Sequence, residues 1–241
     1  MRNIVYFFVF DGFADWEAAL ALCEIRRPGD YRVRTVALDR RPVQSMGGLT
    51  VLPDVALDEI DDERAVLMIL PGGTAWERGE IDPVSAVVQR LHEAGVVVGA
   101  LCSGVLALAY AGLLDTRRHT GNYVGHIETY VPDYLGSAHY DGDALAVSDD
   151  RVITSSGVGG VEFAREVIRA LDLYDERDIG MWYRLFKHGV PPPWFAPWEE
   201  SEPVEIEKRR SKSGLVLGST LETAEPTRYY GLRSAPSPPP E

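Results

Sequence analysis

Cysteine is scarce in this chain, with two among 241 residues, Cys23 and Cys102. Two are too few for a disulfide framework, and neither stands in a CxxC or Cys/His cluster with zinc spacing. This usage fits a reducing, cytoplasmic setting, and nothing in the sequence calls for a metal or another cofactor. Positive charge is also short. Against 37 acidic residues there are 24 Lys and Arg, so the formal net charge is −13, which argues against nucleic acid or an anionic membrane as partner. No apolar run reaches transmembrane length. The first one, Ile4–Phe10, is at the short limit for a signal peptide. It then meets Asp11-Gly12, Asp15 and Glu17 instead of a small-residue cleavage site, so it reads as a buried first strand. No internal repeat is present.

What the chain does contain is a regular alternation of strand-like and helix-like segments. After Ile4–Phe10, a loop at Asp11-Gly12 leads to a helix over about Trp16–Arg26. Tyr31–Leu38 alternates as a second strand, and Ser45–Asp54, with its Gly-Gly turn, reads as a small hairpin or irregular crossover. Ala65–Gly73 is a core strand ending in Pro-Gly-Gly. A helix follows, with Asp82 as cap, Pro83 at its first position and Gly95 at its close. Val96–Leu101 and Gly104–Leu114 form the next strand and helix, Arg151–Gly157 and Gly160–Leu173 another pair, and Glu176–Gly189 a closing helix. Near-continuous apolar strands separated by helices predict an α/β fold, a mostly parallel sheet covered on both faces. Composition shifts near residue 199, so the expected organisation is one domain over 1–198 and a Pro/Glu/Ser-rich flexible tail over 199–241.

Cys102 lies where the strand Val96–Leu101 turns into a helix, between Gly99-Ala100 and Ser103-Gly104. A residue at such a bend is exposed at the carboxyl edge of the sheet. Small neighbours are needed there, as in the nucleophile turn best known with serine. Unpaired N–H groups at the following helix start favour an anion, which predicts a thiol pKa lowered from about 8.5 into the ~3.5–7.5 range. Two further loops reach the same edge. "DGFADWE" brings Glu17 to the start of the first helix, and "PGG" brings Gly72 and Gly73, whose N–H groups, with that of Ser103, are candidates for an oxyanion hole. Taken singly, a Glu in a first helical turn is ordinarily a terminal charge and Pro-Gly-Gly ordinarily a turn. Their convergence at successive strand ends points to a site.

These residues carry a resemblance. Glu17 in "DGFADWE", "LPGG" at Leu70–Gly73, "ALCSG" at Ala100–Gly104 and "VITSSGVGGVEFAREVI" at Val152–Ile168 resemble the DJ-1/PfpI family of the class I glutamine amidotransferase-like superfamily. "RRHTGNYVGHIETYVPDY" and "MWYRLFKHG" are similar to a bacterial branch labelled glutamine amidotransferase. The resemblance implies a flavodoxin-like three-layer sandwich, a homodimer, Cys102 as reactive nucleophile and Glu17 as a protonated acid beside its sulfur. The implied activities run from stress protein and chaperone to peptidase, hydratase and glyoxalase or deglycase.

The sequence also departs from that pattern. Asn122 stands where many members of the family carry histidine, and an amide cannot serve as a general base, although it can hydrogen-bond a substrate carbonyl. No His-x-Glu pair follows, which disfavours glutamine hydrolysis. His126 is the best substitute, either in the site or as a hydrogen-bonded structural residue. His119 and His126 with Glu128 form an incomplete metal set. Trp76 is a candidate wall for a small-ligand pocket, and Cys23 reads as core. Three functions stay open. One is a Cys102-dependent enzyme acting on a small carbonyl or amide compound, hydrolase or glyoxalase-like. The others are a non-enzymatic redox sensor oxidised at Cys102 and a small-metabolite binding module.

Overall fold

The structure is a computed structural model that describes residues 2–192, all within one compact unit. The expected tail over 199–241, and the boundary that opens it, lie outside the described residues.

Nine strands form among the described residues: β1 (Ile4–Phe8), β2 (Arg32–Ala37), β3 (Val43–Gln44), β4 (Thr50–Val51), β5 (Val55–Ala56), β6 (Ala65–Leu70), β7 (Val97–Leu101), β8 (Ala146–Asp149) and β9 (Val152–Ser155). Seven of them make one sheet in the order β5-β2-β1-β6-β7-β9-β8. Every pair is parallel except β8–β9. β1 is buried at all five residues, and β6 and β7 at nearly all, which is why these segments read as unbroken apolar runs. The six helices are α1 (Asp15–Arg26), α2 (Pro83–Glu93), α3 (Val105–Tyr110), α4 (Val124–Tyr130), α5 (Gly160–Ala170) and α6 (Glu176–His188). α1, α5 and α6 pack as one group, and α2, α3 and α4 as another. This is the expected flavodoxin-like sandwich.

Three local expectations are revised. The Ser45–Asp54 segment contributes only half of a hairpin, because β4 pairs backwards with β3, which begins at Val43. The helix after Cys102 does not run from Gly104 to Leu114. A 3-10 turn over Cys102–Gly104 precedes a short α3, which ends at Tyr110. Cys23 is exposed and not core. The inward stripe of α1 is Glu17, Ala18, Ala21, Glu24 and Ile25, a helical periodicity that turns position 23 outward. The carboxyl of buried Glu24 is met by the Tyr174 hydroxyl at 2.6 Å.

Register fixes what meets at the carboxyl edge. Leu70 lies beside Ala100 and Leu101 beside Ser155, so the loops opening at Pro71, Cys102 and Ser156 emerge side by side. The turn after β7 runs hard against β6. A Cβ on Gly104 would stand 2.5 Å from the Leu70 carbonyl oxygen, and backbone cannot yield as a side chain does. Gly104→Ala is therefore expected to destabilise the protein by about 1–3 kcal/mol. Its Tm should fall by several degrees; an unchanged melting curve would contradict this packing.

Candidate active site

Cys102 adopts φ 53°, a left-handed conformation that is uncommon for a residue with a side chain and is typical of functional turns. Its flanks explain how the thiol reaches the edge. A Cβ on Gly72 would lie 2.6 Å from Cys102 Cβ, 2.9 Å from Sγ and 2.9 Å from Glu17 Oε1. One on Gly157 would lie 3.2 Å from the same three atoms. The sulfur and the Glu17 carboxyl thus meet in a slot between two glycines, with no room for a methyl group at Gly72. Gly157 belongs to this site; it lies in the Val152–Ile168 motif, but its spacing gave it no role there.

Glu17 comes from the first turn of α1, where the helix is tied to the Pro-Gly-Gly loop in both directions. The Ala14 N–H donates to the Gly72 carbonyl at 3.0 Å, and the Gly72 N–H donates to Glu17 Oε2 at 2.6 Å. Asp15 fixes the same end of the helix by accepting the Gly47 N–H at 2.6 Å. Glu17 is 2% exposed. Burial raises its carboxyl above the ordinary 4.5, while the Gly72 N–H and a hydrogen bond with Cys102 pull the other way.

The thiol departs from expectation. Burial pushes Cys102 up, and an ionised Glu17 adds to the rise, whereas the Asn122 amide and the Ser103 N–H and hydroxyl lower it. The net direction is upward, opposite to the lowering predicted from a helix N-terminus. The reason is structural: the helix behind Cys102 is short and opens with a 3-10 turn, and the sulfur is largely desolvated. Two acids share one slot, so both ionise reluctantly.

Asn122 is held where its amide is useful. Its Oδ1 accepts the Gly157 N–H at 3.0 Å, and its Nδ2 then donates to Cys102 Sγ at 3.2 Å. The Gly157 donor decides which end of the amide faces the sulfur. The loop bearing Asn122 is anchored by Thr120, whose N–H donates to Thr154 Oγ1 and whose hydroxyl donates to the Ala144 carbonyl, each at 2.8 Å.

Other sequence candidates land differently. Ser103 is in place beside Cys102, and its hydroxyl lies 3.9 Å from Sγ. Gly73 is in the loop with φ 153°, where a Cβ would strike Phe10 at 2.6 Å. Its N–H has no partner among the described residues. Gly72 is corrected as an oxyanion donor, because its N–H is committed to Glu17. Trp76 is corrected as a pocket wall. It is 5% exposed, packs on Phe8 and Phe10, and donates its indole N–H to the Pro71 carbonyl at 2.9 Å. The aromatic residues at the mouth are instead Trp16, whose Nε1–H reaches the Gly157 carbonyl at 3.4 Å, and Tyr123, next to Asn122; both are exposed.

His126 does not touch the sulfur but bonds Glu77, at 2.9 Å. His119 is buried elsewhere, bonded to Tyr134 and the Arg117 carbonyl. Glu128 accepts from Ser137, so the incomplete metal set is dispersed. Glu77 was missed in sequence because it sits in an irregular loop with no period to place it. A cavity of about 290 Å³ lies toward the ends of β1 and β2, lined by Phe10, Asp11, Arg41 and Glu80 among others. It does not border Cys102, and the chemistry points to the Cys102 slot.

Comparison with known proteins adds to this geometry. Residues 3–170 match the DJ-1/PfpI family. The chain belongs to that family. Among DJ-1/PfpI relatives, a Bacillus subtilis protein named an uncharacterized protease, YoaZ, is 33% identical over 199 residues, 79% of this chain and 94% of its own length. The glutathione-independent glyoxalase DJR-1.2 of Caenorhabditis elegans is 29% identical over 148 residues, 60% of this chain and 75% of its own. The crystal structure of a DJ-1 superfamily protein from Agrobacterium tumefaciens, Atu0886, superposes with TM-score 0.71 at 33% identity. It covers 77% of this chain and 97% of its own. None of the described helices is long and apolar enough to cross a membrane.

Two measurements test the site. Because the folded state holds the Glu17 proton more tightly than the unfolded chain, wild-type stability falls as pH rises above the unfolded carboxyl's ordinary value. The Tm advantage of Glu17→Gln over wild type should grow as pH rises from about 4 towards neutrality; a gap that shrinks would overturn the assignment. In a Cys23→Ser background, which leaves one thiol, Asn122→Ala should move the midpoint of Cys102 alkylation by iodoacetamide to higher pH. No movement would mean that the amide does not donate to the sulfur.

Proposed function

We propose that this DJ-1/PfpI protein is a cysteine-dependent enzyme acting on a small, uncharged carbonyl compound, a 2-oxoaldehyde being the best fit. The observation that carries this reading is the pairing, in one desolvated slot, of the Cys102 sulfur with a carboxyl whose pKa is raised. In this reading the sulfur of Cys102 adds to the aldehyde carbon, the C=O π electrons move to oxygen, and Glu17 supplies the proton that neutralises the oxyanion. The Gly73 N–H is the candidate oxyanion donor, with the Ser103 N–H turning from sulfur to substrate as the S–C bond forms. A proton then moves from C1 to C2 of the adduct and the C1 hydroxyl proton passes to the C2 oxygen, which gives a thioester. Water cleaves its C–S bond, releasing a 2-hydroxy acid and restoring the thiol.

Among the described residues, the polar side chains around the sulfur are Glu17, Asn122 and Ser103, with Glu77 behind them. None is cationic, so an anionic substrate would lack a counter-charge, and the exposed Trp16, Tyr123 and Val158 give the mouth an apolar rim. The same lack disfavours glutamine, whose carboxylate needs a partner, and no imidazole contacts Sγ to complete a glutaminase triad. A glyoxalase among the relatives supports the carbonyl reading, and a protease among them keeps hydrolysis of a small amide within it. A cytoplasmic homodimer, implied by the family resemblance, is the setting proposed for this activity.

The test is conversion of phenylglyoxal to mandelate, followed by NMR. Wild type should turn it over and Cys102→Ala should lose at least about 10²-fold, the scale on which removing a nucleophile is felt. Undiminished turnover by Cys102→Ala would remove the mechanism. The absence of an imidazole at Sγ favours one second reading, a redox sensor in which peroxide oxidises Cys102 to a sulfinate held by Asn122 and Glu17. Intact mass after mild peroxide should then show two added oxygens in wild type and none in Cys102→Ala.

A further inference from the structure

Cys102 has a second carboxylate behind it, reached through Ser103. The Ser103 hydroxyl donates to Glu77 Oε1 at 2.9 Å, and His126 Nε2 lies 2.9 Å from the same oxygen. The imidazole is taken with Nε2 protonated, because its partner there is a carboxylate. Ser103 and His126 are buried, at 5% and 8% exposure. Since its proton is directed at Glu77, the Ser103 oxygen turns a lone pair toward Sγ, 3.9 Å away.

The three residues come from three elements: the loop after β6, the turn after β7 and α4. Within α4, His126 packs between Tyr123 and Tyr130, with ring centroids 5.8 and 5.2 Å away, and the Tyr110 hydroxyl of α3 donates to the Tyr130 carbonyl at the end of α4. A buried hydroxyl and a buried imidazole converging on one oxygen of a half-buried carboxylate exceed what packing needs, since apolar side chains would fill the same space without drawing a carboxylate out of water.

We propose that Ser103, Glu77 and His126 form the proton relay of the Cys102 site and take the place of the imidazole that is absent from the sulfur. The proposal rests on the reading of Cys102 as nucleophile. As the S–C bond forms, the S–H proton passes to Ser103 Oγ while the proton of Ser103 passes to Glu77 Oε1. The electron pair of the broken C=O π bond rests on the substrate oxygen, which takes the Glu17 proton. One proton has entered Glu77 and one has left Glu17, so total charge is unchanged. In the hydrolytic half-reaction the path runs in reverse, returning the Glu77 proton to the departing sulfur, while the attacking water gives up the proton that restores Glu17. Ser103 contacts the reacting atom. Glu77 acts through it, and His126 is a positioning residue that holds the Glu77 oxygen.

The groups facing this chain are Cys102 and Glu17 across Ser103, Tyr123 and Tyr130 on the imidazole, and Arg78 next to Glu77. The Arg78 guanidinium is occupied by Glu80 and Thr74. None of these is the acceptor of the thiol proton in the relay, in which Glu17 delivers its own proton to the substrate oxygen.

The experiment uses the full chain carrying Cys23→Ser and reads the rate of Cys102 alkylation by iodoacetamide and of phenylglyoxal turnover against pH. Where the thiol is protonated, wild type should keep a pH-independent plateau with a solvent deuterium isotope effect. Ser103→Ala and Glu77→Gln should each lose the plateau, about 10²-fold at roughly pH 6. The double variant should lose no more than either single one. Ser103→Thr, which keeps a hydroxyl, should restore the plateau; His126→Phe should diminish it. Plateaus that survive in Ser103→Ala and Glu77→Gln, or losses that multiply in the double variant, would overturn the relay. If wild type does not turn over phenylglyoxal, the carbonyl reading fails, while the alkylation profile still decides the relay.

Discussion

A buried carboxyl against a half-buried thiol is the contact on which the rest of this structure turns. Placing Glu17 out of water beside Cys102 is unfavourable for its charged form, and the protein meets that cost with a single backbone donor, the Gly72 N–H. To bring that donor there, the loop after β6 must approach α1 closely enough for Gly72 to exchange hydrogen bonds with Ala14 and Glu17. The turn after β7 must at the same time press a left-handed cysteine into the gap between Gly72 and Gly157. Sheet register, loop composition and helix start are all set by the need to close this slot.

The two carboxylates near the sulfur are unlike by construction. Glu17 is enclosed, with one N–H and the thiol for company, and burial raises its pKa. Glu77 is partly open to solvent and receives two side-chain donors on one oxygen. Ser103 and Cys102 lie between the two carboxyls. Asn122 does different work, steadying the sulfur while it is itself steadied by the Gly157 N–H.

Much of this was legible in the sequence, for physical reasons particular to each piece. Strands buried on both faces declare themselves as apolar runs, and Ile4–Phe8, Ala65–Leu70 and Val97–Leu101 did so. Cys102 and Glu17 were legible because strand ends in a parallel sheet fall at one edge, so chain position alone brings them together. Side-chain direction in irregular loops was not legible. Trp76 and Glu77 are adjacent, yet one enters the core and the other the site, and no periodicity distinguishes them. Cys23 was misjudged because α1 carries apolar residues on its outer side and two glutamates on its inner one. The direction of the thiol's shift depended on desolvation and on a shortened helix, both tertiary facts.

The conformation of Cys102 also bears on how this protein can change. At φ 53° only glycine rests without strain, so a chain selected for stability alone would place glycine at position 102 and gain roughly 1–2 kcal/mol of relief. On the proposed reading of Cys102 as nucleophile, retaining a side chain there is a standing concession of stability to reactivity. Damage that silences the sulfur leaves this cost in place with nothing in return. Drift at this position should run toward glycine in lineages that no longer need the thiol.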